Sequence, residues 1–467
     1  MAKWLQAALH YIPSWLEFQL RASGQPGCSI AVAYRGRVVL ERAFGLANCQ
    51  TGEALTPRHC FRVASHSKCF TAAGIMKLRE LGKLRLNDSI AKYVAGLHPR
   101  IARASISQVL SHGAGIIRDG DDCSYYYDRR PFPTADELLG ALKDPPLIKP
   151  NTRFKYSNLG FGLLGLVIEA TTGAPYTAWI KREIVDAIGL RETMPDMPIP
   201  DGKLFAQGHT DDLLLGKRAV VPGDYVTGAL TSAVGFVASA SDLASFFSQL
   251  SPRAQTSVIS AASRRKMTRR RWRSLHSSLN NRYGLGTLSG TVNGWNWFGH
   301  SGGLQGYVSR TKMLAAHDLT VCVLANSVDG PVEQWINGAI HILRAFRERG
   351  APSSRLQDWN DRWWGLWGAI DLVPMGTTVV VANPRLENPF LDASELRVID
   401  RDTARIAPST GFMFYGERAQ RSRNQAGRIS ELWLGGDKFL PEAVRAAEIE
   451  QRYAGSATIS KRLNVAS

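Results

Sequence analysis

The sequence predicts an α+β fold, with an antiparallel sheet flanked by helices and a small antiparallel β domain after it. Three observations predict this class. Two strand-like runs, 28–34 and 38–44, are separated only by Arg35-Gly36-Arg37, which is typical of a hairpin. Two long, largely apolar helical stretches follow, near residues 65 and 160. After residue 351, short β-rich runs alternate with turn residues.

The domain division follows from length and from a change in character near residue 350. A chain of 467 residues exceeds the size of one ordinary core. Pro352-Ser353-Ser354 resembles a linker, and four tryptophans follow it between 359 and 367. We therefore predict a first domain over 1–348 and a small β-rich domain over 349–467. The predicted strands of the second domain are Thr377 to Ala382, Glu395 to Asp400, Thr410 to Tyr415 and Ile429 to Leu434.

Composition excludes several classes of protein. The chain is 44% hydrophobic and 21% charged, as globular proteins are, and it has no apolar run of about 18 residues. Its N-terminus lacks the apolar core and cleavage site of a signal peptide, so we expect a cytoplasmic protein without a membrane partner. The six cysteines show no C-x-x-C pair, so neither disulfides nor a structural metal is expected.

The chain has a net charge of +17, and its densest basic run is residues 264–273. Such a run could contact nucleic acid or another anionic surface. More often it is the solvated end of a helix, and no nucleic-acid-binding motif accompanies it here. We therefore expect no nucleic-acid partner.

The first polar motif is Ser65-His66-Ser67-Lys68 at the predicted start of a long helix. Residues three apart share a helix face, so Ser65 and Lys68 can meet while Ser67 points elsewhere. A hydroxyl becomes a good nucleophile when a base takes its proton, and a lysine whose charged form is disfavoured can be that base. Alone, this short pattern would more often be a serine cap beside a solvated lysine.

The second motif, Tyr156-Ser157-Asn158, lies on a turn before a helix that is apolar nearly all round. A tyrosine hydroxyl and an asparagine amide at the mouth of a buried helix need partners, which favours a place in a site; a helix cap is the structural alternative. The loop 118–133, rich in Asp and Tyr, could line a cleft or be an ordinary surface loop. His112, in a short helix ending in glycines, is interpreted as a packed loop histidine.

The third motif is Gly299-His300-Ser301-Gly302-Gly303, between predicted strands over 290–298 and 319–326. It also fits G-x-S-x-G, the nucleophile elbow of α/β-hydrolases, with Ser301 as nucleophile and acids and a histidine in the required order. That elbow needs a helix after the serine, and the glycine-rich sequence that follows is a poor helix. The elbow interpretation would also leave the first two motifs unexplained, so we reject it.

Taken together, the three motifs resemble the serine β-lactamase and penicillin-binding-protein superfamily, in its class C-like branch. The resemblance extends from about Gly27 to Phe346, and the stretches 110–116, 235–243 and 283–286 share it. That branch includes D-aminopeptidases, D-amino-acid amidases, DD-carboxypeptidases and esterases. The resemblance implies a β-lactamase/transpeptidase-like fold, with an antiparallel sheet flanked by helices and a helical subdomain.

Carried over to this sequence, the resemblance implies Ser65 as the acylated nucleophile, Lys68 as its base and Tyr156 as the proton shuttle to the leaving group. Asn158 would contact Lys68 and the substrate amide, and His300 occupies the place of the β-lactamase lysine in Lys-Thr-Gly. Gly302 and Gly303 would line the substrate pocket. The backbone N–H groups of Ser65 and Gly303 would form the oxyanion hole.

The departure at His300 bears on the substrate. A lysine clamps the carboxylate of a β-lactam, whereas histidine is near-neutral at pH 7 and anchors anions weakly. We expect a serine hydrolase without a cofactor that acts through an acyl-enzyme on small amides, short peptides with D-amino acids, or esters. The alternatives are a penicillin-recognising DD-carboxypeptidase or β-lactamase and a non-catalytic scaffold that kept the fold. The oligomeric state is open.

Overall fold

A computed structural model describes residues 1–273, 282–407 and 414–453 of the chain. It divides into two compact units, one of residues Ser23–Ile336 and the other of Met1–Ala22 with the residues from Asn337 onward. The predicted boundary at 348/349 differs from this division, because the first helix and residues 337–348 group with the C-terminal residues. Amphipathicity shows that the first helix has an apolar face, but not which unit covers that face.

The helices agree with the apolar periodicity of the sequence. They are α1 Lys3–Ala22, α2 Ser67–Glu80, α3 Pro99–Ala102, α4 Ile106–Leu110, α5 Ala135–Ala141, α6 Asn158–Thr172, α7 Tyr176–Ile180, α8 Ala240–Gln249, α9 Ala261–Thr268, α10 Val332–Arg349 and α11 Glu442–Tyr453. The predicted helix at Ser65 begins as a 3₁₀ turn, Ala64–His66, that runs directly into α2. A π-helical turn, Thr231–Gly235, precedes α8.

The larger unit is built on an antiparallel sheet. The strands of this unit are β1 Gly27–Tyr34, β2 Arg37–Asn48, β3 Glu53–Ala54, β4 Phe61–Arg62, β5 Gly208–His209, β6 Val220–Val221, β7 Val237–Ala238, β8 Trp272–Arg273, β9 Arg282–Tyr283, β10 Leu288–Val292, β11 Trp295–Leu304, β12 Tyr307–Leu314 and β13 Leu319–Ala325. Nine of them form one sheet in the order β3-β2-β1-β13-β12-β11-β10-β9-β8. The predicted antiparallel sheet is thus confirmed.

Residues with positive φ form the turns of two hairpins that bear on the sequence predictions. Arg35 and Gly36 both have positive φ (51° and 79°), as a two-residue turn of the I′ kind requires. The single strand predicted over 290–298 is wrong, because Asn293 and Gly294 (φ 46° and 79°) form a second such turn between β10 and β11. Asn-Gly is a strong hairpin signal that the alternating pattern around it concealed.

Backbone pairing fixes the segment before Ser65. The short strand β4 pairs with β7, and the N–H of Val63 donates to Phe236 O at 3.0 Å. Arg62 is 1% exposed, and its guanidinium contacts Asp196 at 3.1 Å and the carbonyl oxygens of Gly223 and Gly235 at 2.9 Å. A buried arginine with this many partners holds its backbone firmly, so it defines where α2 begins.

Among its described residues, the smaller unit contains an antiparallel sheet of eight strands in chain order. They are β14 Asp361–Gly365, β15 Gly368–Met375, β16 Thr378–Ala382, β17 Ser394–Val398, β18 Thr403–Ala407, β19 Arg418–Arg423, β20 Ile429–Leu434 and β21 Asp437–Phe439. The N-terminal α1 belongs to this unit, in which the hydroxyl of Tyr11 donates to Asp371 at 2.8 Å. Of the predicted strand Thr410 to Tyr415, residues 410–413 lie outside the described residues.

Two further properties bear on the sequence expectations. All six cysteines are free thiols, four of them buried. Within the described ranges, no helix combines the length and apolarity needed to cross a bilayer.

Candidate active site

Ser65 and Lys68 meet as the spacing predicts. Lys68 is fully buried, and its Nζ donates to Ser65 Oγ at 3.0 Å and to the carbonyl oxygen of Ala233 at 2.8 Å. Ser65 remains partly exposed. The neighbouring Ser67 is buried and faces away, since its hydroxyl accepts from the N–H of Phe236 at 3.0 Å. One serine of this motif is therefore accessible and coupled to an amine.

The environment of Lys68 favours its neutral form. Burial holds its pKa well below the usual 10.5, and the nearby Arg118 guanidinium lowers the pKa further, whereas the Asp119 carboxylate opposes the shift. The amine lies 4.9 Å from the ring centre of Tyr156. A neutral amine beside a hydroxyl has a lone pair with which to accept the hydroxyl proton.

Tyr156 completes a three-residue cluster with Ser65 and Lys68. Its hydroxyl donates to Ser65 Oγ at 2.8 Å, so that Oγ receives one hydrogen bond from the phenol and one from the amine. Burial raises the pKa of Tyr156, so its proton stays on the ring oxygen at neutral pH. The turn before α6 places this phenol, and Ser157 caps the helix by accepting from the N–H of Gly160 at 2.8 Å.

Asn158 is close to the cluster but its contacts differ from the prediction. Its Nδ2 donates to Asp119 Oδ1 at 2.6 Å and to the hydroxyl of Tyr126 at 3.1 Å, and it does not bond to Lys68. The correction has a physical cause, since a carboxylate is a stronger acceptor for an amide than a lysine amine that is already a donor. The Asn158 Oδ1 is buried without a partner among the described residues.

His300 lies at the predicted position on β11, but its imidazole is turned inward. It is 1% exposed, its Nδ1 lies 2.7 Å from Ser301 O, and its Nε2 lies 3.1 Å from the hydroxyl of Tyr283. Burial holds its pKa well below 6.5. Both ring nitrogens are engaged within the protein, and the contact of this side chain with substrate stays a prediction.

The two glycines of β11 have different surroundings. A Cβ on Gly302 would lie 2.1 Å from the carbonyl oxygen of Val63, so β11 can pass this closely beside the segment before Ser65 only without a side chain there. A Cβ on Gly303 would meet nothing within 4 Å. The role of the Ser65 and Gly303 N–H groups as an oxyanion hole stays a prediction.

The strand bears on the second candidate nucleophile, Ser301. Ser301 lies inside β11, which continues to Leu304 and turns directly into β12. The nucleophile elbow requires a helix at this point. The α/β-hydrolase alternative is therefore wrong.

A family model described as Beta-lactamase matches residues 15–341, which is most of the chain. The chain belongs to the beta-lactamase family.

Individual members of known function or structure are distant. Esterase EstB of Burkholderia gladioli is 30% identical over 189 residues, which are 37% of this chain and 48% of that protein. The chain spans only 36% to 48% of the length of curated relatives such as this one.

Two solved structures show the fold of this family member. The octameric penicillin-binding protein homologue from Pyrococcus abyssi has a TM-score of 0.65 at 23% identity, over 92% of this chain and 99% of that chain. The D-amino acid amidase from Ochrobactrum anthropi SV3, complexed with L-phenylalanine, has a TM-score of 0.63 at 20% identity, over 72% and 99%. The β-lactamase/transpeptidase-like fold is thus shown, with a C-terminal antiparallel β domain.

Sequence reasoning missed the contribution of His112 in this beta-lactamase-family site. His112 is 2% exposed and packed, as predicted, but it also holds the residues on both sides of Tyr156. Its carbonyl oxygen accepts from the N–H of Lys155 at 2.9 Å, and its Nδ1 accepts from the N–H of Ser157 at 3.1 Å. Its ring centre lies 4.2 Å from that of Tyr156. The signal that could have revealed it is weak, a histidine shortly before two glycines.

The loop 118–133 is close to the site as well. Asp119 contacts Asn158, and the N–H groups of Asn158 and Leu159 both donate to the carbonyl oxygen of Arg118, at 2.9 and 3.1 Å. The sequence had left open whether this loop lines a cleft or is only surface. Its first residues are joined to the start of α6. Among the described residues no group of three or more His, Cys, Asp or Glu is arranged to hold a metal ion.

Proposed function

We propose that this chain is a serine hydrolase that forms a covalent acyl-enzyme on Ser65. The observation that carries the proposal is the geometry at Ser65 Oγ, which receives hydrogen bonds from a buried lysine amine at 3.0 Å and from a half-buried tyrosine hydroxyl at 2.8 Å. A nucleophile, a base and a proton donor within hydrogen-bond reach of one another are the parts that acyl transfer needs.

The first step is acylation. Ser65 Oγ attacks the substrate carbonyl carbon while its proton passes to the neutral amine of Lys68, which becomes an ammonium. The carbonyl π electrons move to oxygen, and the resulting oxyanion is expected to be held by the N–H groups of Ser65 and Gly303. Each such donor contributes about 3 kcal/mol in the transition state of known acyl-transfer enzymes.

The second step expels the leaving group. The tetrahedral intermediate collapses, the bond to the leaving nitrogen or oxygen breaks, and Tyr156 supplies the proton that this atom needs. The phenolate then takes a proton from the Lys68 ammonium, whose Nζ lies 4.9 Å from the centre of the Tyr156 ring. Both groups thereby regain the protonation state that they had before acylation. A water molecule then repeats the sequence at the acyl-ester and releases the acid.

Small amides, short peptides or short-chain esters are the substrates that we propose. Support comes from the name of one relative, an esterase, and from one structural neighbour, a D-amino acid amidase. His300 argues against efficient β-lactam turnover. Its imidazole is neutral and inward-facing, so the carboxylate of a β-lactam finds no cation on β11 at this position.

The decisive experiment is active-site labelling with a fluorophosphonate followed by peptide mapping. We expect the label on Ser65 in the native protein, no label in S65A, and unchanged labelling in S301A, whose serine is a matched hydroxyl on the adjacent strand. Label on Ser301, or none on a folded native protein, would refute the proposal and leave a non-catalytic scaffold.

A substrate panel then separates the classes. Turnover of D-alaninamide, D-alanyl-D-alanine, nitrocefin and p-nitrophenyl butyrate should be compared in native protein and S65A. We expect the ester or the amide to be hydrolysed fastest and nitrocefin slowest. Nitrocefin as the best substrate would favour the penicillin-recognising alternative.

A further inference from the structure

A groove apart from the Ser65 cluster is lined by the basic run. Its cavity has a volume of about 760 Å³, which is within the range of small-molecule sites. Lys266, Arg269, Arg270 and Arg271 line it together with polar residues of and beside α4. The other lining residues are Leu86, Asn87, Ser105, Ser107, Gln108, Ser111, Asn151 and Trp272. We call this cavity the basic groove.

The charge of the basic groove is uncompensated. Its twelve described lining residues include four cations and no carboxylate. A second cavity of about 880 Å³ shares Leu86, Asn87 and Lys266 with it and adds Arg79 and Arg85. The one carboxylate of that second cavity, Glu80, is engaged by the N–H of Ser260 at 2.9 Å. Like charges held together destabilise the unliganded protein, and a bound anion would relieve this cost.

Part of the basic groove is preorganised. Arg271 donates through Nη1 to Ser107 Oγ at 2.9 Å, and Arg270 donates through Nη2 to Asn296 Oδ1 at 3.2 Å. Trp272 packs closely on Gly113, where a Cβ would lie 3.1 Å from the indole ring. Burial lowers the pKa of Arg271, and the neighbouring Arg269 lowers it further.

The remaining cations are available. Lys266 and Arg269 are exposed, and within the described part of the chain their side chains make no hydrogen bond or ion pair. Their removal should therefore leave the fold intact. A guanidinium fork and an ammonium group beside two fixed arginines suit an anion with several negatively charged oxygens.

We propose that the basic groove is a binding site for a small phosphate-chain anion, with two or more linked phosphates. Lys266 and Arg269 contact its charged oxygens directly, and Arg270 and Arg271 supply the fixed cationic side. A chain of phosphates matches four cations between the last turn of α9 and the start of β8 better than a single phosphate, which can reach only one or two of them. Ser65, Lys68 and Tyr156 are not among the residues that line it.

The test is calorimetric titration of the full-length protein with tripolyphosphate, at low and at physiological salt. The site variant is K266E/R269E, and the control is R37E/R42E. Arg37 and Arg42 are exposed on β2, toward the opposite edge of the sheet from β8. Both double variants change the net charge equally, so the pair separates a local site from the general attraction of a protein of charge +17. Thermal unfolding verifies that both variants are folded.

We expect the dissociation constant to rise about tenfold or more in the site variant and less than about twofold in the control. Orthophosphate should bind the native protein more weakly than tripolyphosphate. Magnesium-free ATP distinguishes the two sources of a phosphate chain: affinity equal to that of tripolyphosphate indicates recognition of the chain alone, and higher affinity indicates a nucleotide.

Three results would overturn the proposal. The first is an equal loss of affinity in both double variants, which would reduce the effect to net charge. The second is the absence of binding to the native protein at low salt. The third is displacement of tripolyphosphate by a DNA duplex that binds more tightly through the same residues, which would make nucleic acid the occupant.

Discussion

The charge on Lys68 is set at the residue scale by burial and by two neighbours of opposite sign. Burial is the largest influence and lowers its pKa, Asp119 raises it, and Arg118 lowers it. If neutral Lys68 is the base, the acid limb of the pH profile of kcat/KM reports this pKa in the free enzyme. The two neighbours therefore provide a test in which the sign of each effect is fixed in advance.

We predict that D119N shifts the acid limb to lower pH and that R118Q shifts it to higher pH. Removing the carboxylate withdraws support for the ammonium form, and removing the guanidinium withdraws repulsion from it. In D119N the new side-chain amide oxygen can still accept the hydrogen bond of Asn158. Rates of p-nitrophenyl butyrate hydrolysis between pH 4 and 9 give the profiles. Shifts of the same sign in both variants would contradict the assignment of Lys68 as base.

His112 positions Tyr156 by holding Lys155 and Ser157. We predict that H112A lowers kcat by about 10²-fold, since displacing a reacting group by about 1 Å can cost that much. H112N should retain more activity, because its side-chain oxygen can accept from the Ser157 N–H. Asparagine also tolerates the left-handed backbone at this position, where φ is 59°. Both variants should be compared by steady-state kinetics and circular dichroism, and equal activity of the two would argue against a positioning role.

At the element scale, β11 is held against the start of α2 by the absence of a side chain on Gly302. We predict that G302A lowers activity by more than about tenfold, because its Cβ must move the Val63 carbonyl and with it Ser65. G303A is the matched control on the next residue, where a Cβ meets nothing and the N–H is kept. Esterase assays with thermal unfolding of both variants provide the comparison. Similar losses in both would show that the close approach is unimportant.

The elements also show which features sequence reasoning can reach. Strand β20, helix α10 and the hairpin at Arg35-Gly36 follow from local patterns, and local patterns depend on neighbours in sequence. The partner of Asn158 does not, because Asp119 lies 39 residues away and only the tertiary fold brings it to the amide. The inward orientation of His300 could not be predicted either. The sequence shows that a histidine stands at this position, but its contact with Tyr283 forms only in the folded chain.

At the scale of the whole molecule, motif order was enough to reach the family and the fold, because three short motifs at long spacing rarely coincide by chance. The grouping of α1 with the C-terminal unit was out of reach. That grouping rests on single contacts such as Tyr11 with Asp371 and Gln19 with the carbonyl oxygen of Pro384. No periodicity in the sequence encodes a partner 360 residues away.

The larger unit buries several histidines whose pKa is held below 6.5, among them His66, His112 and His300, and this links its stability to pH. Burial lowers the pKa of His66 to about 3, against about 6.5 in an unfolded chain. Below pH 6.5 the unfolded state therefore binds a proton that the folded state does not bind. The free energy of unfolding then falls as pH decreases toward 3. We predict a loss of about 1.4 kcal/mol per pH unit from each such histidine. H66Q should remove that share of the slope between pH 6.5 and 5 in urea unfolding, whereas H10Q, at an exposed position, should not. An unchanged slope in a folded H66Q protein would contradict the linkage.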